Sequence, residues 1–164
     1  MKLTPIIAMV AALALAACSS DSDQVDASAT NAGGTTAGQP PADTVEYFRQ
    51  VVGDRVFFDT DRHDLNLTAQ TTLSAQAQWL QDNPNTTVII EGHADERGTR
   101  EYNLALGARR ANSVKAYLVA QGVAASRLNT ASFGKERPIA LGSDQNSWAQ
   151  NRRAMSVVAG APSS

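Results

Sequence analysis

Cysteine and histidine are nearly absent from this 164-residue chain, which has a single Cys18 and only His63 and His93. A lone cysteine cannot close an internal disulfide. With no second cysteine and no H-E-x-x-H, a zinc site would lack its usual ligands. Glu91, His93 and Asp95 alternate and would share a strand face, but such a face is a weak metal signature and no metal is expected. G-x-S-x-G is missing as well, so nothing supports a serine nucleophile, and the chain does not read as an enzyme. There is no basic excess, the formal charge being -2 and the pI near 5.6. Without a cationic surface to follow phosphates, nucleic acid is not an expected partner. No internal repeat is visible. The composition, 43% hydrophobic and 18% charged, suits one domain rather than two.

The longest apolar run lies at the start. Lys2 precedes the stretch Ile6 to Ala17, which is too short to span a bilayer permanently and reads as a signal peptide over residues 1–17. Leu15 to Cys18, "LAAC", resembles the lipobox of bacterial lipoproteins. That resemblance implies that Cys18 becomes the first mature residue and carries S-diacylglycerol and an N-acyl chain. The alternative is an ordinary signal peptide with a chance cysteine. Ser19, in place of the aspartate that would favour the inner membrane, points to the outer one. From 18 to 42 the chain has one branched aliphatic residue, Val25, and no aromatic, so it cannot bury enough surface to offset its ordering entropy. It is expected to be a tether, with an r.m.s. span of about 25 to 30 Å.

The composition changes at Asp43, and residues 43–164 are expected to form the domain, with a core over about 54–159. "DTVEYFRQVVGD" places Val45, Phe48, Val51 and Val52 at helical spacing. "RVFFDTD" reads as a strand ending in acids. A helix follows from a Thr68 cap to just before Pro84, with Leu73, Ala77 and Leu80 inward. "TTVIIEGHA" is apolar enough for a central strand. "YNLALGARRANSVKAYLVAQG" is a long helix stopped by Gly122. Strands "RLNTASFG" and "RAMSVVA" flank a short helix in "SDQNSWAQN". Strands alternating with helices predict a mixed α/β class: one four-stranded mixed sheet with helices packed on it, in βαβαβ-type order. Trp79, Trp148, Tyr117 and Phe133 read as core or boundary residues.

The chemistry gathers in "EGHADERGTREYNLALGARRANSV". Asp95 stands past the strand, Gly98 permits a sharp turn, and Asn103 can cap the next helix, whose free amides attract anions. With Arg110, these would suit a zwitterion, amine on the carboxylate and carboxylate on the guanidinium fork. An internal Asp95–Arg110 ion pair joining loop and helix is the other reading of the same spacing. A helix starting at Thr99 would put Arg110 roughly 16 Å along its axis, so a turn over Gly98 to Tyr102 is expected, with the helix beginning near Asn103. His93 is expected to brace the loop, Glu96 to pair with an arginine, and Arg100 and Arg109 to be solvated. Asn151, Arg152 and Arg153 either hold the loop to the sheet or reach the ligand.

"VIIEGHADERGTREYNLALGARRANSVKAYLVAQGV", followed by "SFGKERPIA" and "NRRAMSVV", closely resembles the peptidoglycan-associated lipoproteins of Gram-negative bacteria, a branch of the OmpA-like domain family. The match covers roughly residues 54 to 159. It implies a non-enzymatic outer-membrane lipoprotein that binds peptidoglycan through meso-diaminopimelate, whose side chain ends in an amine and a carboxylate. It also implies a place in the Tol-Pal system, in envelope integrity and in constriction at division, with TolB, TolA and other outer-membrane proteins as partners. Asp95 and Arg110 match the two central ligand residues, and Arg97, Leu106 and Asp61 match pocket-lining positions. Thr60 departs from the pattern, since an aromatic commonly stands there. Gly107, often serine in OmpA-like domains, is normal for this branch. An OmpA-like cell-wall anchor of a motor or secretion complex is the alternative within the family, and a peptidoglycan hydrolase is the alternative outside it.

Overall fold

The computed structural model describes residues 38–159; the signal peptide, Cys18 and most of the tether lie outside them. A helical segment opens the described chain as α1 (Val45–Tyr47) and continues π-wound over Phe48–Gly53. Thr44 caps it, its hydroxyl accepting from the Tyr47 amide. Phe48 alone is buried there; Val51, expected inward, is 47% exposed, because the wider winding departs from the 3.6-residue period. Next come β1 (Arg55–Phe57), α2 (Leu67–Asp82), β2 (Val88–His93), α3 (Arg100–Ala120), a 3-10 turn (Ala125–Arg127), β3 (Leu128–Gly134), α4 (Gln145–Asn151) and β4 (Arg153–Val158).

The mixed four-stranded sheet has the order β1-β4-β2-β3, so β2 is interior as its apolar run predicts. β2 and β3 are parallel, joined by α3 as a crossover, while β4 runs antiparallel between β1 and β2. Helices α2 and α3 cover the face that carries Val56, Val88, Ile90, Ala154 and Val158, and Leu73, Ala77, Leu80, Ala111, Val114 and Leu118 complete this core. One polar group sits in it fully paired. Gln76 donates to the Gly53 carbonyl at 2.7 Å and accepts from Ser156 Oγ at 2.8 Å. Trp79 is 5% exposed, and its indole donates to the Ala42 carbonyl, so the chain is already held at the tether's last residue.

Three boundaries differ from expectation. The cap of α2 is Asn66 rather than Thr68, its side chain accepting from the Ala69 amide at 2.9 Å, since a residue with extended backbone and a short acceptor must stand just outside the helix. Strand β1 ends at Phe57, which pairs with Arg153, the first residue of β4, so the ladder runs out there; Asp61, in the loop that follows, adopts a left-handed φ of 61°. The long helix starts at Arg100, three residues before Asn103: Thr99 caps it by accepting from the Tyr102 amide at 3.2 Å.

That early start does not carry Arg110 away from the strand. Helix α3 folds back along β2, and a Cβ on Gly92 would overlap the Gly107 carbonyl. The backbones touch, so the second and third turns of α3, and not its first residues, lie beside the end of β2.

Candidate functional site

The segment 94–99 leaves the end of β2 and returns into α3, and backbone contacts hold it at several points. The Ala94 amide donates to the Gly134 carbonyl at 2.8 Å. Asn103 Nδ2 donates to the Arg97 carbonyl at 2.8 Å. Lys135 Nζ reaches the carbonyls of Glu96 and Gly98 at 3.1 and 2.7 Å. Gly98, at φ 90°, makes the turn that an L side chain resists.

Between this segment, the β1–α2 loop and the start of α3 lies an open cavity of about 350 Å³. Thr60 and Asp61 line it from one side, Asp95, Arg97 and Gly98 from another, and Tyr102, Asn103 and Leu106 from the helix. Asp95 is 7% exposed. Burial pushes its carboxyl up, but the Arg97 side chain and amide, aided by Arg152, outweigh that and hold it below the usual carboxylate range. The Tyr102 hydroxyl donates to Asp61, which raises the phenol. Two carboxylates, Asp61 and Asp95, and one guanidinium, Arg97, thus line the cavity, with Leu106 as its apolar wall.

Arg110 stands one helical turn beyond Leu106 and is fully buried. Its Nε, Nη1 and Nη2 donate to the carbonyls of Arg62, His93 and Asp59 at 2.8, 2.7 and 3.2 Å. Burial lowers the guanidinium to about 10, still charged at neutral pH, and Asp95 and Asp61 act electrostatically to keep it so. The direct Asp95–Arg110 ion pair is not made. Asp95 instead meets Arg97 at 2.7 Å and Arg152 at 3.4 Å.

The OmpA family profile matches residues 57–152. The chain is 50% identical over 161 residues to the "Peptidoglycan-associated lipoprotein" of Mesorhizobium japonicum, covering 96% of this chain and 93% of that relative. It is 51% identical over 156 residues to the protein of that name from Agrobacterium fabrum, covering 95% and 88%. The chain belongs to the OmpA family. Among solved structures, the peptidoglycan-associated lipoprotein from Burkholderia pseudomallei aligns with a TM-score of 0.63 at 46% identity, over 64% of this chain and 89% of that one. The C-terminal domain of Helicobacter pylori MotB, at 21% identity, shares the fold with a TM-score of 0.61, over 66% and 85%.

Within this OmpA-family domain, Asp95, Arg97, Leu106, Asp61 and Thr60 come together around one cavity, and Arg110 lies behind it. Thr60, standing where an aromatic is common, offers its hydroxyl to Arg97 Nη2 at 3.4 Å. Glu96 pairs with no arginine: its carboxylate accepts from the indole of Trp148, and its backbone carbonyl from Lys135. The geometry also brings in residues that spacing did not mark. Trp148 stacks on Arg97, 4.2 Å from guanidinium carbon to ring centre, and Lys135 and Tyr102 shape the loop and mouth. Only the position of "SWAQ" just before N-R-R could have suggested Trp148, because its partners are 51 and 52 residues away. Asn151 is structural, accepting from the Ile139 and Ala140 amides and donating to the Ala140 carbonyl. Arg152 does both jobs, tying the Phe58 carbonyl at 3.0 Å and touching Asp95. Arg153 donates to the Arg137 carbonyl at 3.2 Å.

Proposed function

We propose that the chain is an outer-membrane lipoprotein whose periplasmic domain binds peptidoglycan non-covalently through meso-diaminopimelate of the stem peptide. The observation that carries this reading is the cavity: five positions assigned to the ligand by family resemblance line one acidic, partly apolar pocket. The chain's relatives at about half identity over nearly its full length are peptidoglycan-associated lipoproteins. Its work is binding, not catalysis. Asp95 takes the ammonium, the methylenes lie along Leu106, and Asp61 and Thr60 close the side nearest Tyr102. Arg110 holds the cavity's supporting loops by their carbonyls and adds positive potential behind Asp95. Lipid on Cys18 anchors the chain, residues 18–42 span to the cell wall, and TolB and TolA are its envelope partners in the Tol-Pal system.

Co-sedimentation tests the ligand. Full-length chain in detergent should pellet with purified sacculi, stay soluble without them, and be released by free meso-diaminopimelate. A chain left in the supernatant with sacculi present would refute peptidoglycan binding, and pelleting indifferent to the free amino acid would move recognition to another part of the polymer.

A further inference from the structure

The helical segment that opens the described chain leaves a groove beside α2. Its volume is about 470 Å³, and Tyr47, Val51, Val52 and Trp79 form its apolar walls. Trp79 is fixed in place by its indole, which donates to the Ala42 carbonyl at 2.7 Å. The π-wound stretch Phe48–Gly53 sets Val51 outward at 47% exposure while Phe48 stays in the core. Such windings give up helical regularity and are found frequently at functional sites. Charge around the groove has one sign. Asp43 and Asp82 line it, and among the described residues no lysine, arginine or histidine does. None of its lining residues belongs to the cavity that holds Asp95.

We propose that this groove is a docking site for a basic, apolar segment of a partner protein. An aliphatic side chain of the segment seats against Val51 and Trp79, and a lysine or arginine beside it meets Asp43 or Asp82. The site stands apart from the diaminopimelate cavity, so a partner held here leaves that cavity open.

Charge decides between occupants. The one branched aliphatic residue of the tether, Val25, stands between Asp23 and Asp26, so seating it would bring carboxylates to carboxylates. A second copy placed groove to groove would set Asp43 and Asp82 against their own counterparts. A bilayer surface of anionic phosphates is repelled for the same reason. A cationic segment turns each of these repulsions into an attraction. The apolar walls supply the remaining affinity through the surface they remove from water, and the volume lies within the roughly 300–1,000 Å³ of ordinary binding pockets.

Tryptophan emission tests this. In a Trp148→Phe background Trp79 is the sole tryptophan, and it lines the groove. Full-length chain is reconstituted in phosphatidylcholine vesicles, whose neutral surface does not gather basic peptides, and titrated with acetyl-Lys-Leu-Leu-Lys-amide. The emission should shift saturably. Acetyl-Glu-Leu-Leu-Glu-amide and acetyl-Lys-Ser-Ser-Lys-amide should need at least ~10-fold more, the first lacking the cations and the second the apolar contact. Val51→Arg, at an exposed position, should weaken the basic leucine peptide by ~10-fold or more. Asp43→Asn combined with Asp82→Asn should bring the two leucine peptides to within ~3-fold of each other and remove the weakening by added salt. Made in the natural chain, all three substitutions should leave pelleting with sacculi unchanged, which keeps a failure of this site distinct from a failure of peptidoglycan binding. No saturable shift, an equal response to the acidic peptide, or a response kept in Val51→Arg would overturn the proposal. So would a ~10-fold gain in affinity on deleting residues 19–36, which would assign the groove to the chain's own tether. Cross-linking between copies that Val51→Arg abolishes would overturn it in favour of a second copy, and a Trp79 shift on transfer to phosphatidylglycerol vesicles in favour of the membrane.

Discussion

Arg110 supports the cavity from behind: it ties Arg62 and Asp59 in the β1–α2 loop to His93 at the end of β2, all through backbone carbonyls. A side chain that left those carbonyls unpaired in the interior would expose the protein to their full desolvation cost. Arg110→Met, which keeps most of the volume, is therefore expected to lower unfolding free energy by roughly 2 to 4 kcal/mol in a urea titration. Neighbouring Arg109, stacked 5.9 Å from Tyr102 at the surface, should cost less than about 0.5 kcal/mol as Arg109→Ala. Equal losses at the two positions would contradict the supporting role of Arg110.

His93 contributes differently. It is 1% exposed, stacks on Phe133 with centroids 5.5 Å apart, and neither ring nitrogen makes a hydrogen bond among the described residues. Glu91 lies 3.6 Å from Nε2, too far for a hydrogen bond, and the ring is uncharged there: burial first, then Arg153 and Arg137, push it down from 6.5 to about 3. The unfolded chain takes up this proton near pH 6.5 and the folded chain does not. The neutral ring's contribution is thus full above pH 6.5 and is lost as pH falls toward about 3. Across that window, wild type should lose up to about 1.4 kcal/mol per pH unit more than His93→Leu, measured as the difference between their urea-derived stabilities. Parallel stability curves for the two proteins would show that burial does not lower the ring's proton affinity in the fold.

At the scale of elements, the two glycines where β2 and α3 meet decide what the site contains. Gly107 has Ser132 and the Gly92 backbone against the position its Cβ would take, so the helix lies directly on the strand. Close approach is what brings Arg110 level with His93 and Leu106 level with the cavity. The helix, its glycine stop at Gly122 and the strand pattern were legible in the sequence, because period and punctuation are local properties. Where α3 lies on β2 was not, because an axial distance measured from the first helical residue says nothing about which turn packs against the strand end. Expecting a late helix start followed from placing Asp95 at the start of α3 rather than beside its interior.

For the whole molecule, the proposed anchor and the domain are tested separately. If Cys18 carries the lipid, Cys18→Ala should leave a folded chain that fails to fractionate with the outer membrane and whose mature N-terminus has no acyl mass, since stable anchoring takes more than one chain. A wild-type N-terminus found unmodified by mass spectrometry would refute the anchor. The domain's sheet shows the other kind of long-range dependence. The last strand, β4, inserts between β1 and β2, and so carries Arg152 from the end of the chain to Asp95 and the Phe58 carbonyl.

The sequence by itself determined the class of structure, the central strand, the loop and the presence of acids and arginines in it, because these depend on residue type and short-range period. Only the tertiary structure decided the pairing. Asp95 turns to Arg97, two residues away, and to Arg152, which arrives from 57 residues on, while Arg110 goes to three carbonyls. A guanidinium has several donors and the loop offers many acceptors, so spacing leaves the partners open. They are set by which groups burial deprives of water, and burial is a property of the packed chain alone.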